Sequence, residues 1–264
     1  MKFAGLLGAV LLFGTNVTAH EFWLEPEKYQ LESGEKIVAK ALNGENFVGT
    51  EYSYTPRGYA RSGVVAGDAK AEIPGKSGQR PAVQVQPPAD GLNVVYHASA
   101  ASTVVYPTME KFESFLRGKR LEAALAVHKE RGYPTENIIE GYYRFVKALV
   151  ASGSGDGADR AVGMPFELVA LDNPYTSSGD IRFSLLFEGK PRADTPVYVF
   201  HRHNGAVQEL FLRTNGSGQV TVPRMPGEFQ VNAVLLMEAG AKMKAQLKAT
   251  WQTLWAASVY EIAG

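Results

Sequence analysis

The side chains in this sequence best suited to chemistry are its histidines, five in all, and no cysteine accompanies them. His20 stands directly behind the small-residue triplet Val17-Thr18-Ala19 in "NVTAHEFWLEP". A cut after Ala19 would leave an α-amine and an imidazole on that one residue. The amine titrates near ~8 and the ring near ~6.5, so both release protons readily to a metal ion. The amine and the ring Nδ1 can then chelate one ion, and a further imidazole would complete a nitrogen set suited to Cu(II) or square-planar Ni(II). Without the cut, His20 is simply the first residue of an edge strand that continues through Phe22 and Leu24.

The second pair is "FHRH" at 200–203. In a strand "PVYVFHRH", His201 and His203 share a face with Val197 and Val199, while Tyr198, Phe200 and Arg202 take the other. The bland alternative is a solvated hairpin tip beside Asn204-Gly205. His97, at the end of "LNVVYHAS", is a further candidate ligand, or else a half-buried structural residue. His128 continues an apolar helical stripe near a helix C-terminus and reads as structural. Glu21 and Glu25 flank His20 as oxygen donors or as ordinary strand positions.

Other chemistries lack their signatures. There is no serine elbow, phosphate loop, dinucleotide fingerprint or His-Glu-x-x-His. Lys and Arg number 27 against 27 Asp and Glu, which removes the electrostatic case for nucleic acid. Trp23, Tyr52, Tyr54 and Tyr59 offer aromatic surface for a carbohydrate platform, whereas Trp251 and Trp255 read as packing residues.

The elements that must position these groups follow from periodicity. Lys2, the apolar run 3–14 and the polar "TNVTA" have the layout of a signal peptide, with cleavage expected after Ala19 and export to the periplasm. No later segment has ~18 uninterrupted apolar residues, so no membrane span is expected after cleavage. Short β-branched runs bounded by Gly, Pro, Asn and Asp mark 20–107 as a β-sandwich domain. Helical spacing then predicts two helices in an insertion at 108–153, the first over 108–131 and the second over 135–151. "SGSGDGAD" at 152–159 has linker composition, and about seven strands within 165–264 predict an immunoglobulin-like β-sandwich. The expected fold class is mainly β: two β-sandwich parts with a two-helix insertion between them.

Several ordered segments resemble the domain of unknown function 4198 family. They are "AHEFWLEP" (19–26), "KFESFLRGKRLEAALAVHKERG" (111–132), "YYRFVKALVASG" (142–153), "GMPFELVALDNPYTSSGDIRFSLLFEGKP" (163–191), "TNGSGQVTVP" and "TLWAASVYEI". The family comprises exported bacterial proteins, some described as periplasmic components of nickel or cobalt uptake. The resemblance implies two β-sandwich-like parts with a helical insertion, a mature chain beginning with His, and transition-metal handling. Family members often carry a His in the penultimate strand, and "NAVLLM" at 232–237 has none, which leaves His201 or His203 as its replacement.

The leading expectation is an exported, non-enzymatic protein that binds Ni, Co or Cu through His20, with His201, His203 and His97 as candidate partners. It would pass the ion to a membrane transporter or an outer-membrane receptor. Met237 and Met243 could assist. The alternatives are a non-catalytic carbohydrate- or protein-binding sandwich and a copper monooxygenase built on an N-terminal His. Mass spectrometry of the exported protein is expected to read His20 as the first residue; any other start removes the chelate.

Overall fold

The segment expected as a second helix, 135–151, instead falls almost wholly in a 17-residue β-strand, Glu136–Ser152, which organises the molecule. Its apolar residues at 138, 139, 142, 145, 146 and 149 fit a helical stripe, but they equally fit a strand buried on both faces. Ile138, Ile139, Tyr142, Tyr143, Phe145, Val146 and Val150 are β-branched or aromatic, and tertiary pairing decides in favour of the strand.

The computed structural model describes residues 20–264; the expected signal peptide lies outside the described residues. The chain begins with β1 (Glu21–Pro26), β2 (Gln30–Leu31), β3 (Ile37–Glu45), β4 (Val48–Tyr52), β5 (Ser62–Ala66) and β6 (Ala69–Glu72). It continues through β7 (Val83–Val85), β8 (Gly91–Ala98) and β9 (Ser102–Thr108) to α1 (Met109–Gly118), α2 (Ala124–Glu130) and β10 (Glu136–Ser152). Then come β11 (Phe166–Ala170), β12 (Ile181–Phe187), β13 (Lys190–Pro191), β14 (Pro196–His203), β15 (Ala206–Arg213) and β16 (Gln219–Val222). Last are β17 (Gly227–Glu238), α3 (Ala241–Leu247) and β18 (Trp251–Ile262). The expected first helix is thus two short ones, with Thr108 capping α1 through Lys111 N. None of these helices is long and apolar enough to cross a membrane.

The architecture is mainly β, in three layers. A ten-stranded central sheet runs β15-β14-β17-β18-β10-β8-β5-β6, with β9 and β2 also pairing to β10. β10 pairs in parallel with β18 and antiparallel with β9 and then β8, so strands from both ends of the chain meet on it. A four-stranded outer sheet of β1, β3, β4 and β7 covers part of one face, and α1 and α2 cover more of it. A second four-stranded sheet, β11, β12, β13 and β16, covers the other face.

Alternation along the central strands feeds the two interfaces. Val146, Ala148 and Val150 of β10 pack with Trp23 and Leu24 of β1, while Phe145 and Leu149 pack with Phe166, Leu168 and Phe183. Gly141 in β10 lets the Met243 side chain of α3 pack close, since a Cβ there would come 2.7 Å from its sulfur.

The segment with linker composition is tied down. Lys147 Nζ, with no exposed side-chain surface, lies 3.0 Å from Asp159 Oδ1 and 2.7 Å from Glu167 Oε1, and it donates to Arg160 O at 2.9 Å. Asp159 also accepts from Ala170 N at 2.7 Å, and Glu167 accepts from Val162 N and Met164 N. One lysine therefore fastens residues 159–167 to the central sheet. Lys147→Met would strand two buried carboxylates and is expected to cost about 3–5 kcal/mol in urea unfolding. A loss below about 1 kcal/mol would show that the triad does not hold this segment.

Candidate functional site

β1 carries the expected metal ligand to the rim of the first outer sheet. It pairs antiparallel with β3, from Glu21↔Gly44 to Pro26↔Ala39. Alternate residues then have separate tasks. Glu21 is ion-paired with Lys119, Glu25 accepts from Arg202 Nη2 at 2.8 Å, and Phe22 packs 5.5 Å from the His97 ring. At the start of the strand, the His20 carbonyl accepts from Arg144 Nη2 at 3.1 Å, and His20 Nδ1 lies 3.6 Å from Glu45 Oε1.

Glu45 is placed by a tight hairpin. The loop residues Asn46 and Phe47 have φ of 53° and 59°, the double left-handed conformation of a type I′ turn. A phenylalanine is strained there, and packing on both sides of its ring holds it. Trp23 meets Phe47 edge-on at 6.3 Å, and the Arg202 guanidinium sits 4.4 Å over it. The side chains of His20 and Glu45 remain 36% and 48% exposed, so an ion could reach both.

The other histidines do not gather there. His201 and His203 do share one face of β14, with parallel rings 6.2 Å apart. That face looks toward the second outer sheet: Val197 and Val199 lie in its core, and the His201 ring stacks on Phe229 at 4.6 Å. Arg202, one residue on, points the opposite way to Glu25 of β1. A one-residue offset in a strand puts His201 and His203 across the central sheet from His20, so the expected partnership is not formed. His201 Nε2 donates instead to Pro226 O at 2.8 Å, and His203 Nε2 bonds the Asn204 amide at 3.0 Å.

His97 does lie on the His20 side. It is buried between Phe22 and Tyr59, with Nδ1 2.8 Å from Ser62 Oγ. Burial, helped by the nearby Arg144 charge, pushes its pKa down to about 4, so it stays neutral. His128 is structural: it donates to Pro134 O and accepts from Trp251 Nε1, both at 3.0 Å. Among the described residues, no three His, Cys, Asp or Glu side chains converge as a metal cage. Of the aromatics expected as a platform, Trp23, Tyr54 and Tyr59 are buried, and only Tyr52 is exposed.

Sequence reasoning missed the polar groups under this rim, because two of them lay in the segment taken for a helix. Glu140 of β10 is fully buried; it accepts from Tyr106 Oη at 2.7 Å and from Thr253 Oγ1. Trp255 Nε1 donates to Thr253 Oγ1 at 2.8 Å, extending the network under α1. Burial raises the Glu140 carboxyl to about 7, against the lowering effect of those hydrogen bonds. Arg144 follows four residues later, largely buried, its pKa lowered by desolvation. The available signal was three ionisable residues, Glu140, Arg144 and Lys147, inside one apolar run.

Fold and site together define a mainly β layered protein whose first strand begins beside a partly buried arginine, with a buried polar cluster under α1. The chain belongs to the family described as domain of unknown function (DUF4198), whose model matches residues 17–235. No curated protein matches it.

The two shifted groups oppose each other in pH. Glu140 keeps its proton up to about 7 when folded but loses it near 4.5 when unfolded, so its effect is to lower stability as pH rises through that window. His97, depressed to about 4 from 6.5, lowers stability as pH falls from 6.5 toward 4. In urea unfolding across pH 4–8, Glu140→Gln is expected to remove the loss of stability as pH rises from 4.5 to about 7, and His97→Gln the opposing loss as pH falls from 6.5 toward 4. Parallel curves for wild type and variants would contradict the assignment.

Proposed function

We propose that this is an exported metal-handling protein whose cleavage after Ala19 makes His20 a chelating N-terminus for a divalent Ni, Co or Cu ion. The observation that carries the reading is the placement of Glu45 Oε1 3.6 Å from His20 Nδ1 on an accessible rim. The α-amine, the imidazole and the Glu45 carboxylate form a nitrogen-rich, sulfur-free set, which suits borderline divalent ions. Arg144 supports it by holding the His20 carbonyl, which fixes the direction in which the chain end leaves the strand. His97, His201 and His203 stay outside this set, each engaged elsewhere. Three protein donors leave coordination positions open, which fits an ion that is passed on to a transporter or receptor in the periplasm.

The test is a titration of protein beginning at His20 with Ni(II) and Cu(II) in a non-coordinating buffer. An added N-terminal Gly is expected to weaken binding by well over about tenfold, and Glu45→Gln by about tenfold. Unchanged affinity in the Gly-extended protein overturns the reading.

A further inference from the structure

Arg144 is a charge whose nearest carboxylates stop short of an ion pair. Its guanidinium is largely buried on the β1 side of β10, yet it makes no ion pair among the described residues. Its side chain donates from Nη2 to the His20 carbonyl, while Nε is buried with no partner. The remaining neighbours are ring faces, Tyr142 at 4.7 Å and Phe22 at 5.5 Å. The nearest carboxylates act on it only through space: Glu21 is paired to Lys119 through Oε1 and keeps Oε2 buried without a hydrogen bond, and Glu140 accepts from Tyr106 and Thr253. Burying an ion is costly, and a carbonyl with two rings recovers less of that cost than a carboxylate does.

This guanidinium lines a cavity of about 250 Å³, walled by Phe22, Tyr52, Tyr59, Tyr142 and His97. The space lies below the ~300–1,000 Å³ of drug-sized sites, so its occupant must be small. Its charged wall is cationic: His97 is held neutral by burial, and no acidic side chain lines it. The rest is five rings set among small residues, several of them serine or threonine, with Tyr52 half-exposed. Flat rings favour a flat apolar body, and a planar guanidinium favours a carboxylate, which it can bind through two parallel hydrogen bonds.

We propose that this cavity is a binding site for a small monocarboxylate with a flat apolar body, its carboxylate on Arg144 and its body between the rings. The site shares Arg144 with the metal reading, but its readout needs no metal, so either can fail without the other.

The test is calorimetric titration of the metal-free protein with benzoate, using benzamide as a neutral probe of the same shape. Benzoate is expected to bind at least about tenfold more tightly than benzamide, because only it answers the charge. Arg144→Met should abolish that preference. Ser102→Trp, at an exposed position on the cavity wall, keeps the arginine and should block benzoate by filling the entrance. It also serves as the deciding variant if Arg144→Met does not fold. Absence of benzoate binding, equal binding of benzamide, or undiminished binding by either folded variant overturns the proposal.

Discussion

The structure depends on one strand being buried on both faces. β10 runs through the middle of the central sheet and supplies alternate side chains to the cores above and below it. The parallel pairing of β10 with β18 joins elements more than a hundred positions apart, and β9 and β8 complete its other edge. Remove that ladder and each outer sheet loses the surface on which it packs. The helices α1 and α2 belong to the same logic: they cover Trp251, Trp255 and Tyr198, which the first outer sheet leaves bare.

Past its exposed start at Glu136 and Asn137, a strand in that position has little solvent face, so its ionisable side chains need their own solutions. β10 contains three different ones. Lys147 is neutralised by two carboxylates that are themselves fully hydrogen-bonded. Glu140 is solvated by two hydroxyls and kept close to neutral by burial. Arg144 has only a carbonyl and ring faces. The first two act as fastenings between layers, and the third sits under the rim where β1 begins, beside open space. Ionisable groups in a core are tolerated when satisfied, and the one satisfied least is the one next to a cavity.

The β class and most strand positions were legible in the sequence, because short β-branched runs between turn residues have few other readings. Asn204-Gly205 announced the β14–β15 hairpin, and both residues take the expected positive φ. The alternation that put His201 and His203 on one face was also correct. Periodicity could not say which face that was, and the answer places them across the sheet from His20. The strand β10 was misread because burial on both sides erases the two-residue alternation that distinguishes a strand from a helix. Arg144 and Glu140 were lost with it, since on a helix they appear as ordinary solvated charges. Glu45 was invisible for another reason: its approach to His20 depends on a left-handed Phe47, which no turn propensity predicts.

The place of β18 in the sheet has a further consequence, for the order of events when the chain first folds. Residues 251–262 lie between β17 and β10, in the interior of the sheet rather than on its edge. A polypeptide synthesised from its amino end carries β10 with most of one side unpaired until those residues follow. Long-range pairings of this kind form slowly and late. Such a chain cannot complete its central sheet until residues 251–262 slot into the gap between β17 and β10.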